Sequence, residues 1–189
     1  MITMKDIIIE GHPTLNKKAK DVNLPLTKND KDLITDLMDY VKNSINPEIS
    51  EKYDLRPAVG IAAPQVNVSK RIFVVSFYNL DGILYEYALI NPTMEVLDDS
   101  LIYLPGGEGC LSVERETEGL TPRYNEVLIK AHRYDIASDN LVKIEIKLSG
   151  YEGIVFQHEY DHLEGVLFTE KLYPELKDAK PAFLIKDDV

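Results

Sequence analysis

The sequence predicts an α+β fold, with antiparallel β-sheets packed around a C-terminal helix carrying H-E-x-x-H and a further helix near the N-terminus. Three observations carry this. Leu33, Ile34, Leu37, Met38 and Val41 recur at helical spacing. The middle of the chain is rich in β-branched and aromatic residues, punctuated by turn residues. After Leu148 the pattern returns to a helix that Gly165 is placed to end.

In chain order, residues 1–26 read as an extended arm with turns at His12-Pro13 and Leu24-Pro25. Thr27 is placed to cap a helix over Lys28 to Ser44, with Asp30 three residues on as its partner and Asn46-Pro47 as its end. Glu48 to Arg56 is charged and reads as a surface loop. Arg71 to Tyr78 and Ile83 to Ile90 form a hairpin about Asp81-Gly82. Val127 to His132 and Leu141 to Leu148 form a second pair. In the latter strand Val142, Ile144, Ile146 and Leu148 alternate with Lys143, Glu145 and Lys147, so one face is wet. Ser149 and Glu152 have the spacing of a capping box for a helix over Gly150 to Glu164.

With 189 residues and 44% apolar content, the chain supports one core, so we expect a single catalytic domain over 1–189 with a short tail from about 171. Cys110 is the only cysteine, and the first residues lack the apolar run of a secretion signal, so the expected location is cytoplasmic. The formal net charge of -11 argues against broad nucleic-acid binding, and no apolar run approaches a membrane span. The expected state is a monomer.

Chemistry concentrates in Gln157-His158-Glu159-Tyr160-Asp161-His162-Leu163-Glu164-Gly165. His158 and His162 share one helix face and can present two imidazoles to one ion. Glu159 is rotated by about 100° from His158, near enough to handle a proton without being a ligand. Tyr151, Ile154 and Val155 form an apolar wall on or near the same face. Two histidines leave a third ligand to find. Zinc endopeptidases take it from downstream, but Phe168 stands where a longer motif has histidine, and Glu170 and Glu175 have no helix to turn them back. The other strong donor is Cys110, in the glycine-rich run Leu104 to Val113. Thiolate and two imidazoles leave one position open, as catalytic ions require.

Ala58-Val59-Gly60-Ile61-Ala62-Ala63-Pro64-Gln65, Glu108-Gly109-Cys110-Leu111-Ser112 and the Gln157–Gly165 run, in this order, resemble the three motifs of the peptide deformylases. The likeness runs from about residue 5 to 170 and is similar to the longer Gram-positive type. Gly11 to Leu15 and Thr121-Pro122-Arg123 also look like family features. Ala58 departs from the glycine usual there, and alanine accommodates a positive φ poorly. The tail has no basic helix, so ribosome docking through such a helix is not carried over.

The resemblance implies hydrolysis of the N-formyl group from N-formylmethionyl peptides emerging from the ribosome. It implies one divalent ion held by Cys110, His158 and His162: iron(II) in the cell, with zinc, nickel or cobalt compatible with the donors. Glu159 would act as general acid and base. The Gln65 amide and the Leu111 N–H would stabilise the developing oxyanion. Gly109 and Gln65 would restrict the site to a formyl group. Val59, Tyr151, Ile154 and Val155, with His158, would receive the methionine side chain, and the Gly60 backbone would pair with the peptide. Arg123 reads equally as a pocket residue or a structural ion pair. The rival reading is a zinc endopeptidase with a downstream ligand.

Overall fold

Helix α1 (Lys28–Ser44) begins where its capping residues require. The Thr27 side chain accepts from the Asp30 N–H, and the Asp30 carboxylate accepts from the Thr27 N–H and hydroxyl. The architecture is that of a computed structural model and is described for residues 1–184. Asn46 does not simply end α1: its side chain accepts from the N–H groups of Glu48 and Ile49 and starts a short helix, α2 (Pro47–Tyr53). The surface loop expected over Glu48 to Arg56 is therefore mostly helix. Proline at the first helical position and asparagine before it were the local signal, in a segment with no buried side chain within α2.

Strands β1 (Gly60–Ala62), β2 (Ile72–Tyr78), β3 (Leu84–Tyr103), β4 (Arg123–Asp135) and β5 (Asn140–Ser149) form one sheet in that order, each antiparallel to its neighbour. A short β6 (Ala179–Pro181) adds a parallel pair against Leu101–Tyr103 of β3. Helix α3 (Gly150–Glu164) follows β5 directly. Strand β3 runs well past the expected end at Ile90. Asn91 takes a left-handed φ of 51°, and the register shifts between Ile90 and Thr93, so Asn91-Pro92 is a bulge and not a terminus. The Asn91 side chain bonds both the N–H and the carbonyl of Val22, substituting for a strand partner.

Alternation along β2 explains its unbroken apolar sequence. Ile72 and Val74 pack with Ile34, Leu37 and Val41 of α1, whereas Phe73, Val75 and Phe77 pack with Val155, Phe156 and Leu163 of α3. A strand covered on both faces has no wet side to write as polar residues. Phe156 anchors the second layer edge-on to Phe73, with ring centres 5.9 Å apart. Along β5 burial rises toward α3, from Val142 at 43% exposed to Leu148 at 2%.

The N-terminal arm stitches distant segments together. Its N–H groups at Ile8, Glu10 and Ala19 donate to the carbonyls of Gln65, Ser112 and Leu163, each at 2.8 Å. Gly165 has φ 75°, and a Cβ there would lie 2.7 Å from the Lys17 backbone, so glycine is required both to turn the chain and to admit the arm. Beyond α3, Phe168–Lys171 makes a 3₁₀ turn, and Leu120 and Tyr173 exchange backbone hydrogen bonds.

Asp30 is 2% exposed and also pairs with Lys70. Burial pushes its carboxyl up, but the hydrogen bonds from Lys70 and Thr27 outweigh that and hold it below the ordinary range. A depressed carboxyl stabilises the fold above its unfolded pKa of about 3.9, and the effect fades as pH falls through the folded value. Asp30→Asn is expected to cost about 1 kcal/mol at pH 7, with a smaller difference at pH 3. Thermal unfolding of parent and variant at the two pH values checks this, and an equal difference at both would remove the charge from the account.

Candidate active site

Helix α3 has no exposed residue: His162 is buried, and His158 is half-buried against the cleft. Ser149 is its N-cap, but the side chain makes no capping bond. The expected capping box is absent because Glu152 accepts instead from the Asn79 side chain, at 2.6 Å, tying α3 to the β2–β3 turn. His158 and His162 lie one turn apart with ring centres at 5.1 Å. Cys110 Sγ stands 3.3 Å from His162 Nε2.

One donor atom from each of Cys110, His158 and His162 lies within 4.8 Å of the other two. Metal bonds of ~2.0–2.3 Å at tetrahedral angles need donors roughly 3.4–3.6 Å apart. The set therefore fits a thiolate- and imidazole-binding ion. Glu170, the downstream alternative, turns onto its own 3₁₀ turn and accepts from the Leu167 N–H.

Glu108 Oε2 lies 2.8 Å from His158 Nδ1, which leaves Nε2 as the free donor of that ring. Glu108 also receives two parallel bonds from Arg123, both 2.8 Å. Arg123 is 3% exposed and pairs on its other side with Asp161, which Lys171 also contacts. Arg123 is thus an ion-pair residue. Burial raises the Glu108 carboxyl, but the Arg123 and His158 bonds overcome this and bring it to about 2. Burial opposes charge on His158 too, yet Cys110 and Glu108 hold its pKa well above the ordinary value. Burial and the neighbouring His158 push His162 the other way. His162 Nδ1 is buried without a hydrogen-bond partner among the described residues.

Gln65 lies in the 3₁₀ turn Ala63–Val66, directly after β1. Its Oε1 accepts from the Ala62 N–H at 2.9 Å, which turns Nε2 toward Cys110 and Ser112. That nitrogen reaches Ser112 Oγ at 3.3 Å and Cys110 Sγ at 3.4 Å. Ala58 is not among the residues with positive φ, which explains why alanine is accommodated there, and its N–H donates to Ser44 Oγ.

Glu159 is 4% exposed, and its Oε2 has no partner among the described residues. Burial lifts its carboxyl to about 7, with the positive charges of His158 and Arg123 limiting the rise. The carboxylate lies against Gly60: a Cβ on Gly60 would stand 2.6 Å from Glu159 Oε1 and 2.9 Å from Cγ. A glycine on an edge strand thus makes room for an acid on the last helix.

These groups line one cleft of about 310 Å³. Gln65, Cys110, Leu111, His158 and Glu159 line it together with Val59, Gly60, Gly109, Tyr151, Ile154 and Val155, and Arg56 and Glu108 line it as well. The structure brings all twelve sequence-predicted residues to one place, with His162 behind Cys110. Sequence reasoning did not assign Glu108, Asp161 or Arg56. The first two lay inside the quoted motifs, and burial next to Arg123 is the feature that sets them apart. Arg56 was placed in a surface loop.

The sequence matches the family described as polypeptide deformylase over residues 4–178. It is 49% identical to a peptide deformylase of Oceanobacillus iheyensis, covering 93% of each chain. It is 45% identical to peptide deformylase 2 of Bacillus subtilis, covering 93% of this chain and 92% of that one. Among solved structures, the Thermotoga maritima peptide deformylase aligns with a TM-score of 0.60 at 33% identity, over 89% of this chain and 97% of the other. Peptide deformylase 1B of Arabidopsis thaliana aligns with a TM-score of 0.66 at 30% identity, over 88% and 81%. The chain therefore belongs to the peptide deformylase family.

Proposed function

We propose that this protein hydrolyses the N-formyl group of N-formylmethionyl peptides by a metal-assisted route in which Glu159 moves the proton. The observation that carries the reading is the buried Glu159 carboxylate, whose Oε2 has no partner among the described residues, in one cleft with the converging donors Cys110 and His158, and His162 beside them. An ion held by Cys110, His158 and His162 would supply Lewis acidity, making a water more acidic, towards ~7, and polarising the formyl group. Iron(II) is the proposed ion in the cell, and soft thiolate with imidazole also suits zinc, nickel or cobalt.

Glu159 accepts a proton as water oxygen bonds to the formyl carbon. It delivers that proton to the amide nitrogen as the C–N bond breaks, leaving formic acid and a free amine, and the acid then gives up its proton to become formate. Gln65 Nε2 exchanges its weak contact with Cys110 Sγ for the developing oxyanion, while its Oε1 stays fixed on the Ala62 N–H. The Leu111 N–H is the second donor. Gly109 and Gln65 leave room for a formyl hydrogen but not for a larger acyl group. The methionine side chain lies between Val59, Tyr151, Ile154 and Val155. Strand β1 ends the sheet path, so its free edge at Gly60 can accept the peptide as a further strand. The proposed working unit is a cytoplasmic monomer.

Formate release from formyl-Met-Ala is the direct test. Turnover of that substrate without cleavage of unblocked peptides supports deformylation; internal cleavage of unblocked peptides supports an endopeptidase. Glu159→Gln should keep the ion and reduce kcat by about 10²–10⁴-fold. Cys110→Ala should lose the ion, read as metal per protein after anaerobic purification; parent metal content in that variant would remove Cys110 from the ligand set. Gly60→Ala should displace the Glu159 carboxylate, lowering kcat at least tenfold while the ion remains. Parent turnover in Gly60→Ala would show that the close approach is unimportant.

A further inference from the structure

Arg56 follows α2 and leads into the Ala58–Gln65 run, and its guanidinium lies on the cleft wall. Its carbonyl accepts from the Tyr40 hydroxyl at 3.0 Å, and Tyr40 is fully buried in α1, so the backbone of this arginine is fixed to the core. The guanidinium donates across the chain to the cysteine loop. Nη2 bonds the Cys110 carbonyl at 3.2 Å and the Val113 carbonyl at 3.4 Å, and Nη1 bonds the carbonyls of Leu111 at 3.3 Å and Val113 at 3.4 Å.

The Cys110 carbonyl and the Leu111 N–H belong to the same peptide group. A cation on the carbonyl oxygen draws electron density from the amide and strengthens the N–H as a donor, as hydrogen bonds in a chain polarise one another. The same fork spans three carbonyls of one turn and fixes the direction of that N–H. We infer that Arg56 is a positioning residue for the reaction, acting through the Cys110–Leu111 peptide to orient and polarise the Leu111 N–H at the developing oxyanion. The inference rests on the deformylase reading of the site and on Leu111 as a donor. Arg56 touches neither the metal donors' side chains nor, in this role, the substrate.

Removal of one oxyanion donor lowers rate by about 10²–10³-fold, and weakening one should cost less. Arg56→Met is expected to lower kcat roughly tenfold, with KM within about twofold of the parent and unchanged metal per protein. Arg56→Lys should recover part of the loss, because an ammonium can reach one carbonyl but cannot span three. Steady-state kinetics on formyl-Met-Ala, metal analysis and thermal unfolding of both variants read this. Parent kcat in Arg56→Met overturns the inference. So does a rise in KM alone, which would make Arg56 a substrate contact. Loss of metal or of fold in both variants would make it a strut for the ligand loop. A parent protein that releases no formate sinks the deformylase reading itself, an outcome distinct from these.

Discussion

The buried guanidinium of Arg123 is the constraint on which the site depends. It comes from the first residue of β4 and holds Glu108 of the cysteine loop on one side and Asp161 of α3 on the other. Burial alone would raise the Glu108 carboxyl, and Arg123 outweighs it; removing one partner of a buried pair commonly costs about 3–5 kcal/mol. The pairing joins sheet, loop and helix at one point. Through Glu108 it also sets which nitrogen of His158 is free. Specific placement of an imidazole thus originates in an ion pair between the cysteine loop and the sheet.

The carboxylates around the cleft are held in contrasting states by their surroundings. Glu108 is surrounded by donors and is brought to about 2, whereas Glu159 has burial without a partner and rises to about 7. One is fixed as an anion that orients; the other is left able to gain and lose a proton near neutrality. The difference lies in what each touches, since both are buried glutamates lining the same cleft.

Much of this was readable from residue order. Thr27 with Asp30, the β2 and β5 patterns, and the helix ending at Gly165 follow from local rules that tertiary structure did not override. The histidine pair was legible because i and i+4 share a face. Legibility failed where a side chain has its partner far along the chain. Asn91-Pro92 reads as a strand end until Val22 is seen bonded to Asn91. Glu152 reads as a capping residue until Asn79 takes it. Arg56 is exposed, as its charge suggests, but its bonds to the carbonyls of the cysteine loop are not legible in the sequence. The same holds for Glu108 and Asp161, whose importance follows from a shared arginine and not from spacing.

The stitching of the N-terminal arm has a kinetic side. Contacts such as Thr169 to Glu10 join positions 159 apart, and the arm's backbone bonds reach Gln65, Ser112 and Leu163 in turn. Closing such large loops costs entropy before any contact rewards it, and chains dominated by distant pairings fold slowly. The arm has nothing to bind until the segments it joins have come together. The three sites at Gln65, Ser112 and Leu163 must be in place together for the arm to make all of its bonds, so its ordering is coupled to the sheet, the cysteine loop and α3 at once.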